Sequence, residues 1–328
     1  MSALRVAMAR RRVSAALGAL SCLSACLPAL AAPADVTVND KRVFPESITS
    51  TAAGEVILGS MGQPVIFRAA AGSSTAEPWI HLKDDGHDTT LGVLADAASN
   101  TLWACVRMPN PPPGAQAAAP ARGGLAPSHS VLRAFNLKSG QVRASYRLPG
   151  AISLCNDIAI APDRSVFISD TTNARVLRLD RRAGKLTVWL EDRAHLAGID
   201  GLTFLGPTLY VNNVQTGHLY RIPMDTAGTA GAPVDIALSQ PLQGPDGMRA
   251  ANGKIYVAEN RAGRISELTI TGDQASTRVI KDGYQMPTAV SPTGGVLWVG
   301  ESKLNYLFDA KLHGQDPGPF RAYALALP

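Results

Sequence analysis

The chain has 328 residues, of which 46% are apolar and only 17% charged, a length that one large all-β domain can fill. Its net charge of +5 depends on Arg5, Arg10, Arg11 and Arg12, which no Asp or Glu offsets before residue 32. Without those four the chain is within one charge of neutral, which excludes an electrostatic footprint for nucleic acid and points to a small-molecule partner.

The first element is a targeting segment. Arg10-Arg11-Arg12 forms a positive end, Val13 to Leu30 an apolar run broken by Pro28, and Ala29-Leu30-Ala31 a small-residue cleavage site. This predicts a signal peptide over residues 1–31 and export to the periplasm or beyond. A run of 18 residues containing Gly and Pro is at the short limit for crossing a bilayer, so no membrane span is expected. Leu23-Ser24-Ala25-Cys26 reads as a lipoprotein box and leaves a lipid anchor at Cys26 open, although the apolar Leu27-Pro28-Ala29-Leu30 after it is unusual for a mature lipoprotein start. Beyond this segment only Cys105 and Cys155 remain. Spacing leaves a disulfide and two buried thiols as alternatives.

Residues 32–328 repeat one pattern. A polar residue precedes a short apolar strand, a turn follows, a second strand ends in a polar residue, and a third is rich in Leu, Val and Arg. The clearest copy is Asn156-Asp157-Ile158-Ala159-Ile160, Val166-Phe167-Ile168-Ser169-Asp170 and Arg175-Val176-Leu177-Arg178-Leu179. Copies start at 46, 91, 156, 200, 246 and 288, in steps of 45, 65, 44, 46 and 42 residues. A period in the forties with about four strands per copy is the signature of propeller blades, so six copies predict an all-β, six-bladed β-propeller. For the fourth strand of the sixth blade, either Phe320 to Leu325 or Val36 to Val38 can serve. The long step holds an insertion over 109–128, rich in Pro, Ala and Gly, which predicts a mobile loop.

The innermost strand of each blade starts at one end of the central channel. The residues at those starts, Glu46, Leu91, Asn156, Asp200, Asp246 and Thr288, therefore ring the channel mouth. Singly, Asp and Asn there are ordinary turn residues. Four in register are another matter, because converging carboxylates repel unless a cation neutralises them. Oxygen donors without Cys or His favour a hard ion such as Ca²⁺, with Zn²⁺, Mn²⁺ and Mg²⁺ as alternatives.

Pro45-Glu46-Ser47, Cys155-Asn156-Asp157, Asp200-Gly201-Leu202 and Pro245-Asp246-Gly247-Met248 together resemble the signatures of the senescence marker protein/gluconolactonase family, in order along the whole chain after residue 31. The resemblance implies a six-bladed propeller, a divalent ion held by Glu46, Asn156, Asp200 and Asp246, and hydrolysis of a lactone. It also implies Asp246 as the general base. The family usually has Asn where this chain has Asp200.

The expected mechanism polarises the lactone carbonyl with the ion while a carboxylate activates water. His87 is the rival base, because imidazole suits neutral pH. A second ring, Asp170, Asn213, Glu259 and Glu301, ends the second strands and offers a substrate-lining role beside an ordinary loop role. No Gly-x-Ser-x-Gly elbow, zinc spacing or Walker loop occurs. The rival function is a non-catalytic binding or scaffold propeller with a structural calcium ion.

Overall fold

Runs such as Val166-Phe167-Ile168 are apolar on both faces, and the fold uses both. In the computed structural model, which describes residues 33–82, 88–108, 128–312 and 314–327, Val166 and Ile168 pack into one apolar cluster and Phe167 into the next. Among the described residues there are six such clusters, and each is shared by two consecutive blades. A strand buried on both sides has no solvent face, so strict alternation is absent from the inner strands.

Each blade is an antiparallel meander. Blade three runs Cys155–Ile160, Val166–Asp170, Arg175–Asp180 and Lys185–Glu191. Blades one, two, four and five open on Ile48–Ser50, Thr89–Asp96, Ile199–Leu205 and Pro245–Ala251. The sixth blade joins both ends of the chain. Pro287–Thr293, Val296–Glu301 and Phe320–Ala326 are its first three strands, and Val36–Val38 is the fourth, with Val36 opposite Ala322. Both candidate segments therefore serve, one inside the other. Val36–Val38 also pairs in parallel with Thr75–His81 at the rim of blade one.

Cys105 and Cys155 form a disulfide that links the second strand of blade two to the first strand of blade three. Of the two pairings left open by the sequence, the covalent one is present. Among the described residues no helix is long and apolar enough to cross a membrane. Residues 1–31, His87 and the insertion from 109 to 127 lie outside the described residues.

A carboxylate ring at the channel mouth

The ring positions are made by bulges. In blade three Cys155 pairs with Asp170 and Ile158 with Ile168, so Asn156 and Asp157 together face the single residue Ser169. The same slip occurs at Asp200-Gly201, at Asp246-Gly247 and at Leu91-Gly92. A bulge bends its strand and re-aims a side chain. Here it turns Asn156, Asp200 and Asp246 into the channel. Glycine lets neighbouring first strands close in. A Cβ on Gly201 would lie 2.3 Å from the Asp246 carbonyl oxygen, and one on Gly92 equally near that of Asn156.

Side chains from the second strands latch the bulges. Ser169 Oγ accepts from Asp157 N at 3.0 Å and donates to the Asp200 carbonyl at 2.7 Å. Asn212 repeats this one blade on: its Oδ1 accepts from Gly201 N at 3.0 Å, and its Nδ2 donates to the Asp246 carbonyl at 2.6 Å. Each latch fixes its own bulge and the ring residue of the next blade. Both interrupt an otherwise apolar second strand at its penultimate position, a signal visible in the sequence.

Glu46, Asn156, Asp200, Asp246 and Thr288 line one cavity of ≈ 10 Å³, room for a single water-sized or ion-sized occupant. All five are buried. Asn156 Nδ2 donates to Asp200 Oδ2 at 3.0 Å and to Thr171 Oγ1 at 3.1 Å. Asp246 Oδ2 accepts from Asn260 Nδ2 at 3.1 Å, and its Oδ1 from Gly247 N at 2.9 Å. Asp200 Oδ1 is buried without a partner.

The electrostatics follow from burial and like charge. Burial, then Asp157, pushes the Asp200 carboxyl up to about 7. Burial, then Asp200 and Glu46, holds Asp246 well above the usual carboxylate range. Burial, then Asp200 and Asp157, raises Glu46 likewise, opposed by Arg249. Three acids that resist ionisation, one with an orphaned oxygen, have the donor chemistry for a hard cation. Among the described residues no three His, Cys, Asp or Glu side chains are drawn together as a ready metal cluster. The fit to an ion therefore rests on the orphaned oxygen, the cavity size and the donor set.

No protein-family model and no curated protein matches this chain. Solved structures do. A structure described as a gluconolactonase aligns with a TM-score of 0.60 at 16% identity over 88% of this chain and 91% of that one. A luciferin-regenerating enzyme gives 0.60 at 10% identity, over 89% and 92%. Virginiamycin B lyase from Staphylococcus aureus gives 0.57 at 14%, over 89% and 98%. The likeness is one of fold.

The second-ring residues do not line the ring cavity. Asp170 is fully buried and takes Arg175 at 2.8 Å, Asn173 Nδ2 at 2.9 Å and Leu154 N at 3.0 Å. Glu259 takes both Arg264 nitrogens at 2.8 Å and Gln243 N at 2.7 Å. Glu301 accepts from Gln285 N at 2.7 Å and from the Tyr323 hydroxyl at 3.2 Å. Asn213 Nδ2 donates to the carbonyls of His195 and Ala197, and its Oδ1 accepts from Gln215 N and Thr216 N. All four spend their polar atoms holding the segment that enters their own blade. A carboxylate with its lone pairs already engaged has little left for a ligand, so these contacts favour a blade-holding role for Asp170, Asn213, Glu259 and Glu301 over substrate lining.

Sequence reading also passed over Asp157 and Arg249 as partners. Arg249 Nη1 and Nη2 donate to Asp157 Oδ2 and Oδ1, both at 2.8 Å, across the channel from blade five to blade three. Asp157 further accepts from Leu202 N of blade four.

Proposed function

We propose that the protein is an exported hydrolase that opens a lactone or related ester at the carboxylate ring. Glu46, Asn156, Asp200 and Asp246 would hold a divalent cation there, calcium first. The observation that carries this reading is the ring itself: three buried acids and an amide converge on an ion-sized cavity with one acid oxygen, Asp200 Oδ1, unsatisfied. Such an ion supplies Lewis-acid polarisation of the substrate carbonyl. Asp246 acts as general base. Its carboxylate is aimed by Asn260 and by Gly247 N, which fix the direction from which it can take a proton from water. Asn156 presents its amide in one orientation because both of its donor hydrogens are taken by Thr171 and Asp200. The shared fold with a structure described as a gluconolactonase agrees with this chemistry.

A panel of lactones assayed with calcium, zinc, manganese and after chelation tests the reading. Activity should vanish with chelator and return with one ion. Asp246→Asn should remain folded and inactive, and Glu46→Gln should lose ion affinity. Calorimetry that finds unchanged calcium affinity in both variants would remove the ring as the ion site.

One observation favours the rival, a binding or scaffold propeller with a structural ion. The ring cavity holds no more than one small occupant, and two larger cavities of ≈ 620 and ≈ 660 Å³ share no lining residue with it. A protein that binds calcium at the ring and turns over no member of the lactone panel would be that propeller.

A further inference from the structure

Beneath the ring the channel is crossed by one ion pair. Arg249 reaches from blade five and is held by both oxygens of Asp157 on blade three. The two side chains are only 11% and 5% exposed, so this guanidinium is desolvated and must keep a partner. Arg249 Nη1 also donates to the Met248 carbonyl at 2.7 Å. Asp157, in turn, directly follows the ring residue Asn156, and its Oδ1 accepts from Ile158 N at 2.8 Å.

Glu46 shares this floor. It is buried, and among the described residues no hydrogen-bond donor engages its carboxylate. Glu46 and Asp157 line the same cavity and Arg249 is bound to Asp157 at 2.8 Å, so the guanidinium stands beside Glu46, and each of the two favours the charged form of the other. Two acids thus compete for one buried cation, and the fork geometry of guanidinium and carboxylate decides the winner. Two parallel bonds of 2.8 Å to Asp157 outweigh a single longer-range attraction to Glu46.

We propose that Asp157 and Arg249 are positioning residues for the ring: Asp157 captures Arg249 and so keeps it off Glu46, leaving that carboxylate free to serve as a ligand. The pair also ties three blades together under the ring, because Asp157 holds blade four through Leu202 N and blade five through Arg249. Without Asp157 the guanidinium loses both of its bonds, and Glu46, the one ring acid whose charged form it already favours, becomes its partner. The pair would then be charge-satisfied but the ring would be one ligand short.

The inference rests on the ion-site reading only for its consequence, so its test has an arm that needs no ion. Thermal melts are recorded in chelator at pH 8 for the wild type, Glu46→Gln, Asp157→Asn and the double variant. In the wild type, Glu46→Gln removes a buried acid that repels its neighbours, and the melting temperature rises by a few degrees. In the Asp157→Asn background the same change removes the partner of Arg249, and the melting temperature falls. If Asp157→Asn does not fold, Asp157→Ser provides the background. The same sign of Glu46→Gln in both backgrounds overturns the proposal, whatever the ion does. In the second arm calcium affinity is measured by calorimetry. Asp157→Asn should bind about 10-fold more weakly or worse, and adding Arg249→Gln should restore most of the loss, because the competitor for Glu46 is gone. No rescue by Arg249→Gln overturns the proposal. A wild type that binds no calcium refutes the ion-site reading instead, and the melts still decide the exchange of partners.

Discussion

Two sets of polar residues recur in register along this chain, and they have opposite environments. The set at the starts of the first strands shares one cavity: bulges turn Asn156, Asp200 and Asp246 into it, Glu46 enters from just before its strand, and the set is short of partners. The set at the ends of the second strands, Asp170, Asn213, Glu259 and Glu301, is saturated by the turns of its own blades. Both contain buried acids. What separates them is whether each acid brings its own cation. Asp170 and Glu259 each have an arginine five positions on, Arg175 and Arg264, placed across the turn to meet them. No ring acid has one. A repeat can thus use the same residue type twice, once paired within its own blade and once left without a cation, and local charge pairing separates the two.

The sharpest way to break this comparison is to remove a second-ring acid. Asp170→Ala strands Arg175 and leaves Leu154 N without its acceptor, so it should cost about 3–5 kcal/mol in urea unfolding. Ion affinity at the ring should change little in the protein that remains folded. A stable Asp170→Ala variant with impaired substrate binding would return the second ring to the pocket.

The disulfide supplies the next largest effect. It closes a loop of 50 residues between blades two and three and ends one residue before Asn156. Reduction, or Cys105→Ala with Cys155→Ala, should lower stability by about 2–4 kcal/mol, read by denaturant unfolding with and without reductant. Both half-cystines are fully buried, so reduction should require prior opening of the blade interface and be slow in the native protein.

Much of this was legible in the sequence. The six-fold period, the four strands per copy and the convergence of Glu46, Asn156, Asp200 and Asp246 on one cavity all followed from spacing and from polar residues set before apolar runs. The closure of blade six was not, because two segments whose paired residues are 282 to 286 positions apart each had strand character, and only their mutual pairing shows that both belong. Asp157 and Arg249 were missed for a similar reason. They are 92 positions apart, and each reads locally as an ordinary residue beside a turn or in a strand. In the second ring the register was weighed and the arginines that meet Asp170 and Glu259 were not.

Acidity separates the two rings more gently. Asp200 has its ordinary carboxylate value when unfolded and is pushed up to about 7 in the folded protein, mainly by burial. Between those values the folded state keeps a proton that the unfolded state has lost. Its contribution is therefore present below the ordinary value and is lost as pH rises through about 7. Chelated protein should lose stability over that window, Asp200→Asn should flatten the slope, and calcium should reverse it by favouring the ionised form. One pKa unit corresponds to about 1.4 kcal/mol, so the effect should be on the order of 1 kcal/mol or more. Melts across pH with chelator and with calcium check it. A stability that rises with pH in chelator would contradict the assigned burial of this acid.

The smallest effect falls on the residue that joins the two rings. Thr171 follows Asp170 directly, and its hydroxyl donates to the Ile199 carbonyl at 2.7 Å while accepting from Asn156 Nδ2 at 3.1 Å. It therefore sets which way the Asn156 amide faces: nitrogen toward Thr171 and Asp200, oxygen left as a donor to an ion. Thr171→Val keeps the shape and removes both bonds, one of them from a buried carbonyl. The expected cost is about 1 kcal/mol, far below that of Asp170→Ala one position earlier. Ion affinity should fall only a few-fold, because Asp200 Oδ2 still holds the other amide hydrogen at 3.0 Å. Calorimetry beside urea unfolding separates the two quantities. If Thr171→Val matches Asp170→Ala in stability, Thr171 belongs with the residues that hold the blade. If it leaves both quantities unchanged, the amide of Asn156 is oriented by Asp200 alone.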